Sequence, residues 1–153
     1  MIQVKKTHEN ATFNKAFPSD AGFDLTCCGI EMKNNAFWFD LGIQVAPPSG
    51  YYFRVVPRSS FSKTGFVLAN SVGIIDETYR GNWYFVVRNI IPVEINKNGE
   101  YPATILEAVQ EMFLYKRVAQ ATLHKNYNNF GIVFVDKLDV TDRNTGGFGS
   151  TGE

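Results

Sequence analysis

Two side chains in the stretch Ser71-Val72-Gly73-Ile74-Ile75-Asp76-Glu77-Thr78-Tyr79-Arg80-Gly81 have the types and spacing to do chemistry. Asp76 closes an apolar run and can take a proton from water, and Tyr79 can pack its ring against a ring-shaped ligand. An acid after an apolar strand is ordinarily a turn-former, so the pair gains meaning only with binding groups elsewhere. Four other stretches supply them. Pro57-Arg58-Ser59-Ser60 up to Gly65 has the start and stop residues of a short helix. Free N–H groups at such a start, beside Arg58 and two hydroxyls, suit an anion. Asp20-Ala21-Gly22-Phe23-Asp24-Leu25 joins small residues to an aspartate, as a chain does when its backbone passes close to something. Lys116 to Leu123 puts Arg117, Ala119 and Ala121 on one strand face and Val118, Gln120 and Thr122 on the other, a mixed pattern that suits the wall of a site or an interface. Arg143 to Gly152 sets four glycines around Phe148, so its N–H groups, Arg143, Ser150 and Thr151 can wrap a polyphosphate while the single ring covers a flat base.

The elements that must carry these groups are strands. Ile2–Lys5, Phe37–Val45, Tyr51–Val56, Asn82–Val87, Pro92–Ile95 and Gly131–Asp136 each read as β, with turns at 47–50 and 96–99, and Ser71–Gly81 reads as a hairpin-like arm. Residues 103–112 fit two patterns. Ile105, Val109 and Met112 share a helical face, while Ile105-Leu106 and Phe113-Leu114-Tyr115 also suit strands. Aromatics make up 14% of the 153 residues, which points to one mainly-β domain. Fifteen basic residues balance fifteen acidic ones, so no global basic field holds nucleic acid and any anion needs a local cluster. Adjacent Cys27 and Cys28 are poorly placed for a mutual disulfide, and two histidines, His8 and His124, are too few for a convincing zinc site. The expected setting is reducing and intracellular, cytoplasmic in the simplest case, with no leader and no membrane span.

Read together and in order, A-G-F-D-L (Ala21–Leu25), P-R-S-S (Pro57–Ser60), G-I-I-D-E-T-Y-R-G (Gly73–Gly81), R-V-A-Q (Arg117–Gln120) and G-G-F-G-S-T-G (Gly146–Gly152) resemble the five motifs of the homotrimeric dUTPases. One such motif is weak, whereas the ordered set spans nearly the whole chain. The resemblance implies an all-β jelly-roll barrel of the β-clip kind, with at most one short helix after Pro57. It implies a jelly-roll domain over 1–142, with an insertion at 95–112 able to meet a protein partner, and an arm over 143–153 that closes the site. It also implies a homotrimer whose active sites are built from different subunits.

The implied activity is hydrolysis of dUTP to dUMP and pyrophosphate, assisted by Mg²⁺, which keeps uracil out of DNA and supplies dUMP. Carried over by motif, Asp76 is the base for the attacking water and Gln120 helps to hold that water. Arg58, Ser59 and Ser60 grip phosphates, joined by Arg143, Ser150 and Thr151 on the β and γ groups. Tyr79 packs on the deoxyribose, Phe148 with Gly149 covers the uracil, and Asn70, Gly73 and Ile75 read its edge. Asp24 is the outer-shell partner of the metal through water. A related dCTP deaminase, or a bifunctional deaminase and dUTPase, is the enzymatic alternative, and a regulatory binding protein on the same fold is the other. The chain departs from the family pattern in three places. Tyr115-Lys116 stand where Gly and an acid are usual, Asn144 replaces a glycine, and the stretch from Gly81 to Arg117 is long.

Overall fold

The computed structural model describes residues 1–90, 102–127 and 130–142. Two four-stranded antiparallel sheets form its body. One runs β2 (Phe23–Thr26), β10 (Arg117–Lys125), β6 (Tyr51–Pro57) and β8 (Gly73–Ile75), and the other β3 (Gly29–Lys33), β4 (Ala36–Asp40), β9 (Tyr84–Asn89) and β7 (Phe66–Leu68). A ribbon of β1 (Gln3–Lys6) with β5 (Ile43–Ala46) completes the jelly-roll arrangement. Alternation decides which faces meet. Phe53 and Val55 of β6 and Ala119 and Ala121 of β10 are buried, as are Phe37 and Phe39 of β4 and Phe85 and Val87 of β9. Trp83 packs edge-on to Phe53 with ring centroids 5.3 Å apart, and Phe61 does the same with Phe85 at 5.3 Å. Among the described residues no helix is long and apolar enough to cross a membrane.

Four sequence expectations are corrected. The single strand expected over Phe37–Val45 breaks at Gly42, whose backbone is left-handed (φ 64) and whose N–H is accepted by the Asp40 carboxylate at 2.8 Å. The chain there leaves one sheet for another. The ambiguous stretch 103–112 is helical: α1 spans Ala103–Phe113, adding a helix to the 3-10 turn at Ser59–Lys63. Its buried face is Ile105, Val109 and Phe113, spaced i, i+4, i+8, while Met112 points outward. Eleven residues are too few for a stable isolated helix, and burial of Val109 and Phe113, at about 1.5–3 kcal/mol each, holds it on the barrel.

The stretch Ser71–Gly81 is not a hairpin of two mutually paired strands. β8 pairs with β6, whereas β9 lies in the opposite sheet, so residues 76–82 form a crossover between the two. Finally, Gly131–Asp136 forms no strand. All of residues 130–142 are exposed, Phe134 at 96% and Ile132 at 88%, and none of them pairs with a strand among the described residues. The strand and turn expected at Pro92–Ile95 and 96–99 fall outside the described residues.

Candidate active site

Asp24 lies at the centre of an ion cluster. Its Oδ1 accepts from Arg58 Nε at 2.9 Å and its Oδ2 from Arg117 Nη1 at 2.8 Å, with the carboxylate side chain only 13% exposed. Two guanidiniums converge on this one carboxylate, a local basic group of the kind a neutral chain needs to hold an anion, and the Asp20 carboxylate lines the same cavity. Plain alternation would put Arg117 on the face of Ala119 and away from Gln120. A β-bulge overrules it: Arg117 pairs with Thr26 and Ala119 with Leu25, so two steps on β10 oppose one on β2. Arg117 therefore shares a face with Thr26, Asp24 and Gln120. Bulges commonly re-aim a side chain beside a site in this way.

Gln120 is the register partner of Asp24 and donates through Nε2 to the Pro57 carbonyl at 3.4 Å. Its carbonyl end lies over Gly22, where a Cβ would come within 2.8 Å of Gln120 Oε1. The backbone of Gly22 is ordinary, so glycine is there for space alone. With Asp20, Arg58 and Ser59 these residues line a cavity of about 230 Å³. Ser59 and Ser60 sit inside the 3-10 turn, not at its cap; Arg58 is the cap residue, and Ser60 is exposed. A turn of five residues has little dipole to offer, so the charge of this site comes from the arginines.

Asp76 and Tyr79 line a different cavity, of about 280 Å³, with Trp38, Ile74, Ile75, Asn82, Tyr84 and Val86. Asp76 is exposed, and no described residue donates to its carboxylate. Tyr79 folds back over Gly81, where a Cβ would stand 2.3 Å from its Oη, and donates to the Asn82 carbonyl at 3.0 Å. Gly73 and Ile75 lie on β8, an edge strand, and Asn70 is exposed in the turn before it, its carbonyl accepting from Val72 N–H. Arg143, Phe148, Gly149, Ser150 and Thr151 lie outside the described residues.

The register separates the two groups. Ile75 pairs with Phe53 and Gln120 with Val56, three residues along β6 and on opposite sides of it, which puts their backbones about 14 Å apart at ordinary strand spacings. Within one chain, then, the Asp76 arm and the Gln120 cavity are separate.

The dUTPase family model matches residues 8–103. The chain is 34% identical over 157 residues to the SPbeta prophage-derived deoxyuridine 5'-triphosphate nucleotidohydrolase YosS of Bacillus subtilis, covering 99% of this chain and 97% of that one. The chain belongs to the dUTPase family. Its fold is similar to that of the dUTPase of Staphylococcus bacteriophage 80alpha, solved with dUPNHPP (TM-score 0.75, 22% identity, 100% of this chain and 99% of that one). It is also similar to a mutant dUTPase of S. aureus phage phi11 that coordinates a structural Mg(II) ion (TM-score 0.66, 20% identity, 92% and 99%).

In this dUTPase the turn before β10 holds Tyr115-Lys116 through backbone and ring contacts. Tyr115 takes the left-handed backbone (φ 60) that a glycine would adopt freely, its N–H is accepted by the Cys27 carbonyl at 2.7 Å, and its ring stacks on His8 with centroids 5.9 Å apart. Lys116 turns its ammonium to the Glu111 carbonyl in the last turn of α1, where a cation is favoured. Cys27 and Cys28 are free and buried. Burial pushes the Cys27 thiol up to about 12 and the Cys28 thiol up to about 11, so neither supplies a thiolate nucleophile. Sequence reasoning did not single out Asp20, Gly22 or Arg117 as site residues. Arg117 opens the R-V-A-Q motif, which was the available signal, but the bulge that re-aims its side chain is invisible in the alternation pattern.

Proposed function

We propose that this dUTPase hydrolyses dUTP to dUMP and pyrophosphate, by attack of water on the α-phosphorus, in sites shared between subunits of a homotrimer. The observation that carries the shared site is the separation of about 14 Å between the arm and the Gln120 cavity of one chain, too far for one water to touch both. A second copy that presents its Asp76 at the first copy's cavity completes the constellation. The exposed apolar residues of 130–142 support the same assembly, since a neighbouring copy is the surface that would cover them.

In each site Arg58, Ser59 and Ser60 take the phosphates, with Arg143, Ser150 and Thr151 closing on the β and γ groups. Gln120 holds the water, and Asp76 of the neighbouring subunit accepts its proton. Tyr79 packs on the deoxyribose, Asn70, Gly73 and Ile75 offer the backbone of the β8 edge to uracil, and Phe148, with Gly149 beside it, covers the base. Each Asp24 oxygen keeps a lone pair beyond its arginine bond, which suits a water-mediated hold on Mg²⁺. When bound, Mg²⁺ would neutralise triphosphate charge. The free thiols fit a reducing, cytoplasmic setting, and the insertion at 95–112, which includes most of α1, offers surface to a protein partner.

Pyrophosphate release from dUTP by the purified protein tests the reading. Asp76→Asn should lower kcat about a thousandfold. Mixing Asp76→Asn subunits with Arg58→Ala subunits should then restore activity, since some mixed sites draw both intact groups from different chains. Wild-type turnover in the Asp76→Asn variant sinks the base, and no gain on mixing sinks the shared site.

A further inference from the structure

The crossover 76–82 holds its own shape. Tyr79 N–H donates to the Asp76 carbonyl at 3.1 Å, Arg80 Nη1 donates to the carbonyls of Glu77 and Tyr79 at 2.6 and 2.9 Å, and Tyr79 Oη donates to the Asn82 carbonyl. Those bonds are internal to the arm, which is joined to the body through β8 at Ile75 and through Trp83 beyond Asn82. Among the described residues two side-chain bonds tie it to the body. At its far end Asn82 Oδ1 accepts from Gln44 Nε2 at 2.9 Å. At its near end, next to Asp76, Glu77 Oε2 accepts from the Gly50 N–H at 3.0 Å.

Gly50 is itself well fixed. It lies in the turn that leads into β6 with left-handed backbone (φ 79), and its carbonyl accepts from Asn126 N–H at 2.7 Å, just past the end of β10. A carboxylate bonded to a backbone N–H is a strong, charge-assisted tie. The two adjacent acids thus have opposite surroundings: Asp76 is exposed with no described donor, whereas Glu77 is half-buried with its acceptor engaged.

We propose that Glu77 is a positioning residue, whose bond to the Gly50 N–H sets where the Asp76 carboxylate and the Tyr79 ring are presented to substrate. The inference rests on the dUTPase reading for its effect on catalysis, but not for the tie itself. Without Glu77 the arm is still held by β8 before Asp76 and by Asn82 and Trp83 after it, and the residues between those anchors lose their one side-chain tie at the Asp76 end. Small displacements of a catalytic group are costly, since a misplacement of about 1 Å can lower the rate a hundredfold.

The test compares Glu77→Ala with Glu77→Gln, whose amide oxygen can still accept from Gly50. Steady-state turnover of dUTP and of UTP is measured, together with hydrogen exchange of the Gly50 amide. Glu77→Ala should lower kcat on dUTP about tenfold or more, narrow the preference for dUTP over UTP and speed Gly50 exchange, while Glu77→Gln stays within about threefold of wild type in each. Wild-type kcat and preference in Glu77→Ala, or equal damage in Glu77→Gln, overturns the proposal, as does unchanged Gly50 exchange in Glu77→Ala. If the wild-type protein fails to turn over dUTP, it is the proposed function that falls, and the exchange comparison still decides whether Glu77 ties the arm.

Discussion

Gly22→Ala adds a single methyl group, yet it should disable the water-holding group more than it disturbs the fold. The new Cβ would lie 2.8 Å from Gln120 Oε1, 3.2 Å from its Cβ and 3.4 Å from its Cδ. The β2–β10 ladder holds both backbones, with Gln120 paired to Asp24, so the strands cannot part to make room. The amide end is freer, because its bond to the Pro57 carbonyl is long at 3.4 Å. The side chain should therefore swing off Gly22. Overpacking of this kind costs about 1 kcal/mol when a flexible end can yield, or about 2–4 °C in Tm for a chain of this size. A displaced Gln120 should lower kcat about a hundredfold. KM for dUTP should change little, since the three atoms nearest the methyl group all belong to Gln120. The assay is steady-state pyrophosphate release by wild type, Gly22→Ala, Gln120→Ala and the double variant. If Gly22 acts by keeping space for Gln120, the two losses overlap and the double variant resembles Gln120→Ala. A kcat within a few-fold of wild type, or fully additive losses, would refute the reasoning.

Two further outcomes follow from the backbone and from the thiols. Tyr115→Asn and Tyr115→Val both lose the stack on His8, but only asparagine tolerates φ 60, so the valine variant should be less stable by about 1 kcal/mol in denaturant titration; equal midpoints would mean that the turn relaxes without cost. Cys27 and Cys28 stay protonated in the folded state up to about 12 and about 11, above their ordinary value of 9.0. Above pH 9 the unfolded chain sheds these protons first, so their contribution to stability is complete below pH 9 and fades as pH rises towards 11–12. A Cys27→Ala/Cys28→Ala protein should lose less stability between pH 8.5 and 10.5 than wild type, roughly as the linkage relation requires; parallel curves would count against buried neutral thiols.

How legible the site was depended on how local its cause was. Asp76, Tyr79, Arg58 and Gln120 stand in contiguous motifs, and β6, with its apolar alternation, lies where that alternation puts it. The misread elements share a different origin. β5 leaves the sheet of β4 because one left-handed glycine interrupts a mostly apolar stretch, and helix α1 exists because the barrel offers Val109 and Phe113 a surface that no local window contains. Residues 131–136 have the composition of a strand but no pairing partner among the described residues, and composition carries no information about partners.

The arm shows the same division most clearly. By itself the sequence determined which groups are present: a carboxylate, a ring and the glycine that leaves room for the ring to fold back. Tertiary structure decided that the arm crosses between sheets instead of forming a hairpin, that Glu77 is engaged by Gly50 while the Asp76 carboxylate has no donor among the described residues, and that Arg117 faces Asp24. The physical reason is that side-chain identity is a property of single positions, whereas register, bulges and ties are set by segments distant in the chain, 27 residues away for Glu77 and 93 for Arg117. Those distant partners decide which of two adjacent acids meets water.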